Sequence, residues 1–228
     1  MISDAWAYLL DGDSWSGTEG IATFGLQQIL LTLTALVIAM VVGLPIALWA
    51  GHTGRGGFLA INVSNIGRAI PVFAVLLVLA LGPVGSAEFG PYGRAGLATL
   101  IALVLFALPP IITNAYVGMR EVDKDIVEAS RGMGMRDWDV FRGIELPLAA
   151  SVIFTGVRLA LVQVWATATI AALVAGPGLG RIITSGYANQ RGYQVFAGAL
   201  LVALGALLLE GLAVLGERRF DPMRVARR

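Results

Sequence analysis

The chain has 228 residues, of which 57% are hydrophobic and only 14% charged, with a formal net charge of +1 and a mean hydropathy of +0.79. A soluble domain carries about 25% charged residues, so this composition excludes one, and the 29 Gly residues suit closely packed membrane helices. With no Cys and a single His, disulfide frameworks, thiolate zinc sites, cysteine nucleophiles and multi-histidine metal centres are excluded too.

Stretches free of Asp, Glu, Lys and Arg run from Gly20 to Gly54, Ala69 to Ala87, Ala95 to Met119, Leu159 to Gly180 and Gly192 to Leu209. Each is near the ~20 residues that cross a ~30 Å hydrocarbon core. The fold expected is therefore an all-α integral membrane protein with five spans, at about 26–50, 64–87, 96–118, 150–174 and 193–215. Residues 1–25 read as a short external segment, with Trp6, Tyr8 and Trp15 at the membrane interface. Residues 26–216 form the membrane domain, including a charged loop at 119–147, and residues 217–228 a basic tail.

In chain order, His52 to Gly57 form a tight turn after the first span, where the one histidine could relay protons or serve only the turn. Arg68 is expected to mark the inner end of the second span and Pro71 to kink it. The segment Gly82–Gly96, with five Gly and two Pro, reads as an outer loop. The one sizeable charged stretch, Arg120–Pro147, follows the third span. Its apolar positions, Ile126, Val127, Ala129 and Met133, then Trp138, Val140, Phe141 and Ile144, predict two short amphipathic helices separated by Gly132 and Gly134. Such a hairpin can offer its apolar stripe to a partner, or fold back on its own membrane domain.

Orientation follows from the basic residues. Arg55, Arg120, Lys124, Arg131, Arg136, Arg142, Arg218, Arg219, Arg224, Arg227 and Arg228 flank one side, whereas only Arg94, Arg181 and Arg191 flank the other. The positive-inside rule then predicts an external amino terminus and a cytoplasmic carboxyl terminus. Asp4, Asp11, Asp13 and Glu19 precede the first span without a basic residue among them, so no secretory signal is expected. Arg158 falls in the fourth span, where a lone arginine is costly; Glu210, the only carboxylate within a span, is its expected partner.

Glu128, Ala129 and Ser130, then three residues, Gly134, nine residues, Ile144, one residue, Leu146 and Pro147 resemble the EAA loop of ABC-importer permeases. That family's pattern is Glu-Ala-Ala, three residues, Gly, nine residues, Ile-x-Leu-Pro, and Ser130 is a small-for-small departure. The resemblance implies the fold of a type I importer permease in the plasma membrane. It also implies that Glu128, Ala129, Ser130, Arg131, Gly132, Met133, Gly134, Met135, Ile144, Leu146 and Pro147 belong to coupling helices that dock on a cytosolic ATPase. Glu128 would contact that ATPase, and Gly134 would allow the turn between the helices.

The partners implied are the ATPase subunits, a second permease copy or a paralogous permease, an extracytoplasmic binding protein and a small solute, with no nucleic acid. No cofactor or metal is expected in this chain. Its single lysine, Lys124, follows Asp123 and not a Gly-rich phosphate loop, so ATP and Mg would be bound by the partner.

The runs Leu108–Gly118, Gly132–Met135, Glu145–Ala149, Gly156–Ala160, Gly178–Gly180 and Glu217–Arg219 resemble the osmoprotectant branch, whose members import glycine betaine, choline or carnitine. Pro177 departs from it, and methionine importers are the nearest alternative. An ion-coupled carrier or a membrane scaffold working without an ATPase is the alternative of another class. For a quaternary ammonium solute, aromatic faces are the natural contacts. Trp165, with Gln163 and Asn114, is therefore a candidate for the path lining, packing between helices being Trp165's other use.

Overall fold

The computed structural model describes residues 1–58, 62, 67 and 69–220, of which only the backbone is described for Arg219 and Phe220. The expected position of Arg68 and the tail residues Arg224, Arg227 and Arg228 lie outside the described residues. Among the described residues, four helices are long and apolar enough to cross a membrane, and a fifth apolar helix is shorter. The α-helices named here, in chain order, are α1 (Ile2–Leu10), α2 (Ile21–Thr53), α3 (Val72–Leu81), α4 (Gly96–Arg120), α5 (Lys124–Gly132), α6 (Asp137–Val140), α7 (Leu146–Ala171), α8 (Gly180–Ala188) and α9 (Gly192–Phe220).

Four of these differ from expectation. α2 has 33 residues, about 50 Å at 1.5 Å per residue, so it outreaches the hydrocarbon core and carries His52 beyond it. α3 covers only 10 residues of the predicted 64–87, because Pro71, in extended backbone at its N-cap, breaks it from the helical Gly67 and Ala69 before it. Its carboxyl end stops at Gly82, in extended backbone. The external segments are also not plain loop: α1 packs its Tyr8 edge-on to Tyr193 of α9, ring centroids 5.9 Å apart, and α8 fills part of the connection before α9. Burial, and then Tyr193, push the Tyr8 phenol above its ordinary pKa.

α4 is the centre of the molecule. Two-thirds of its apolar stretch is buried, against 6% for α9. Leu31, Ala35, Leu36 and Ala39 of α2, Leu100, Leu103, Ala107 and Ile111 of α4, and Ala160, Leu161, Val164 and Ala168 of α7 make one continuous core. Lipid tails are as apolar as these side chains, so burial from water does not hold the helices together. Close van der Waals packing does, and it favours small residues at the contacts. A methyl group on Gly156 would lie 2.6 Å from Asn114 Cβ and 2.9 Å from the Pro110 carbonyl oxygen, and one on Gly118 3.0 Å from Val152 Cβ. α4 and α7 therefore touch backbone to side-chain base at both places.

The end of the bundle nearer α1 and α8 is closed by a buried amide. Gln28 Nε2 donates to the Trp165 carbonyl at 2.9 Å and to Thr169 Oγ1 at 3.1 Å, while its Oε1 accepts from Leu179 N–H at 3.1 Å. One fully buried side chain thus ties α2 to α7 and to the loop before α8.

Gly156→Val is expected to destabilise the membrane domain by about 1–3 kcal/mol through overpacking, whereas Gly211→Ala, where nothing lies within 4 Å, is expected to be neutral or slightly stabilising. Thermal unfolding in detergent separates the two.

Candidate functional site

The charged loop folds from local signals. Asp123 caps α5 by accepting from Asp125 N–H at 2.9 Å, satisfying one of the donors a helix start leaves open. Ser130 is buried and donates to the Ile126 carbonyl at 2.7 Å. The helix ends with Gly134 N–H bonded to Arg131 O at 2.9 Å and Met135 N–H bonded to Ser130 O at 3.2 Å. Gly134 has φ +90°, a conformation that L side chains rarely adopt. Arg131 Nε, 3.2 Å from Asp137 Oδ1, braces the turn.

The expected second amphipathic helix is not separate. α6 runs through a widened turn at Phe141–Glu145 directly into α7, with Leu146 N–H reaching back to Phe141 O. Pro147 gives the physical reason, since it has no N–H and its ring excludes the carbonyl four residues before it. The loop's second half is therefore a rigid extension of a membrane helix.

The apolar stripe splits between buried and exposed positions. Val140 is fully buried, and Val127 and Phe141 pack on the cluster of Met119, Val122 and Ala149 that anchors the loop to the membrane domain. Ile126, Met133 and Trp138 point outward, 45%, 78% and 64% exposed, beside the exposed Glu128, Ala129, Arg131 and Gly132. Met135, Ile144, Leu146 and Pro147 are half-buried at the junction with α7. Where the loop meets the ends of α2 and α4, a cleft of about 180 Å³ brings Arg120, Lys124 and Arg131 beside Glu128, Glu145 and His52.

The profile of binding-protein-dependent transport system inner membrane components matches residues 39–222. The chain belongs to that family. The carnitine transport permease protein OpuCD of Listeria monocytogenes is 33% identical over 226 residues, covering 99% of this chain and 97% of that one. The choline transport system permease protein OpuBD of Bacillus subtilis is 32% identical over 213 residues, covering 93% and 90%. The membrane subunit fold is shared with inward-facing structures of the MetNI methionine ABC transporter, with a TM-score of 0.70 at 21% identity over 85% of this chain and 93% of that one. An amino acid ABC transporter solved with histidines gives a TM-score of 0.67 at 22% identity, over 88% and 94%.

Within this inner membrane component, the other candidate residues are engaged in ion pairs or hydrogen bonds, most of them to neighbouring helices. Arg158 Nε lies 3.3 Å from Glu210 Oε1, and its Nη1 donates to Glu217 Oε2 at 2.9 Å. Sequence reading missed Glu217, although it lies seven residues, or two helical turns, beyond Glu210 and so on the same face. Trp165 is 3% exposed. Its Nε1 donates to the Val202 carbonyl at 2.9 Å, and a methyl group on Gly205 would overlap its ring. Asn114 Nδ2 donates to the Pro110 carbonyl one turn back, at 2.8 Å.

Gln163 has a specific structural duty. Pro110 cannot donate to the carbonyl of Phe106, and Gln163 Nε2 supplies the missing donor from α7 at 3.3 Å. In the places the structure gives them, Gln163 and Trp165 each donate to a carbonyl of a neighbouring helix, and Asn114 donates within its own helix beside Gly156.

Two outcomes are expected. Gln163→Leu leaves the Phe106 carbonyl unpaired inside the bilayer and is expected to lower stability by about 1–3 kcal/mol, read from thermal unfolding. Gly134→Ala is expected to cost about 1–2 kcal/mol of local backbone strain and to speed amide exchange at Met135 and Arg136. Gly132→Ala, in helical backbone with open space around it, is the control expected to leave exchange unchanged.

Proposed function

We propose that this chain is the permease subunit of an ATP-driven importer that carries a compatible solute such as glycine betaine, choline or carnitine. The observation that carries the solute class is the 33% identity to a carnitine transport permease along 99% of the chain, joined by relatives named for choline and for glycine betaine. Two cytosolic ATPase subunits bind and hydrolyse ATP with Mg. A second permease copy or a paralogue completes the path, and an external binding protein delivers the solute.

The exposed face of α5 and α6 supports the docking role, because the large apolar Ile126, Met133 and Trp138 are exposed on a loop that also exposes Glu128 and Arg131, the mixture of apolar and charged groups that partner-binding surfaces commonly show. The amino terminus is outside and the docking loop inside. Closure of the ATPase pair draws the loops together, and the membrane helices exchange between outward-open and inward-open states whose balance ATP binding shifts.

Cells carrying this permease with its ATPase and binding protein are expected to take up labelled glycine betaine or choline, and to stop when ATP is depleted. Glu128→Arg is expected to spare membrane insertion but abolish ATPase co-purification and uptake. Normal assembly and uptake in that variant would sink the docking assignment. Uptake of labelled methionine, with neither quaternary ammonium compound transported, would keep the permease reading and replace its solute. ATP-independent uptake without a co-purifying ATPase would favour a carrier working alone.

A further inference from the structure

The single histidine stands where α2, the docking loop and α7 meet, and the docking assignment makes no use of it. His52 lies in the last turn of α2, with its Nδ1 hydrogen-bonded to Glu145 Oε2. The two side chains are 20% and 8% exposed, so a hydrogen bond lost here is poorly replaced by water. Glu145 closes the widened turn between α6 and α7. The same imidazole meets Phe141 edge-on at 5.3 Å, and Phe141 in turn stacks on Trp138, also at 5.3 Å. Trp138 is one of the outward residues of the loop. A line of contacts therefore runs from the surface offered to a partner, through Phe141, to the end of α2.

The geometry points to His52 as a positioning residue for transport, whose clasp on Glu145 makes α2 follow the docking loop. This rests on the reading of the chain as an ATPase-driven permease. When a partner moves the loop, Glu145 moves with it, since α6, the widened turn and α7 are continuous. His52 passes that displacement to α2, and α2 is packed along its length on α4 and α7, so the displacement enters the membrane core. Without the clasp, the loop can turn about Phe141–Glu145 while α2 stays behind. Hydrolysis then continues and transport does not.

The test uses the complete importer in proteoliposomes, following ATP hydrolysis and uptake of labelled glycine betaine and choline together. His52→Ala is expected to leave ATPase assembly and hydrolysis in place and to lower uptake per ATP hydrolysed by about tenfold, the effect of losing one hydrogen bond to a charged group. His52→Asn, whose amide can donate from near the position of Nδ1, is expected to restore much of that ratio. An unchanged ratio in His52→Ala, an equal loss in His52→Asn, or parallel loss of assembly in both variants would overturn the proposal.

If the unsubstituted importer moves neither solute, the solute reading fails, and the clasp is decided by a measurement that needs no solute. The chain has no native Cys, so spin labels at Thr53→Cys and Asp139→Cys report the distance from the end of α2 to the loop. A narrow distance distribution that broadens in His52→Ala supports the clasp. The same narrow distribution in both overturns it.

Discussion

A helix inside a bilayer has no water to satisfy a backbone group left unpaired, and the architecture of this protein follows from how it meets that constraint at α4. The helix is the most buried of the long ones, and yet it contains adjacent prolines at Pro109 and Pro110. A proline pair in such a place is tolerated only when a neighbour supplies the missing donor. Gln163 reaches from α7 to do so for Phe106, and Gly156 lets α7 come close enough beside the same turn. The contact between α4 and α7 is thus specified by polar satisfaction and by lack of side-chain bulk together.

The helix that answers to α4 is also the one that continues into the charged loop. α7 continues backwards through Glu145 and Phe141 into α6, so the surface carrying Trp138 is covalently and conformationally one piece with the wall of the core. Arg158 adds a second tie, gripping Glu210 and Glu217 of α9 from the same helix. A partly exposed ion cluster of this kind contributes little net stability, yet an arginine left without a partner within a span is costly. It fixes the register of α9 on α7 more than it adds to cohesion.

Charge-free runs sufficed to place the four long helices, because the bilayer penalises charge so strongly that span positions are written directly in composition. What composition cannot convey is length outside the core or local breaks within an apolar stretch. α2 runs past its predicted limits at both ends, and α3 is cut short between Pro71 and Gly82, two residues whose effect depends on where the helix starts. The turn at Gly134 was legible from Gly alone. The merger of α6 with α7 was written in Pro147, but reading it needs the register of the turn before it. Glu217 was legible by helical spacing from Glu210. The Gln28 clamp and the clasp of His52 on Glu145 were not, since each joins residues more than ninety positions apart.

Gly134 sits in open space, with no atom within 4 Å of where a Cβ would be. Its identity is therefore dictated by its own dihedral angle rather than by a packed neighbour in this chain. The bend between α5 and α6 is set by this one position, since any L residue there would carry the strain of a left-handed backbone. Glu128, Met133 and Trp138 present their side chains from backbone that makes no such demand, so the direction of the exposed face and its chemistry can be altered separately.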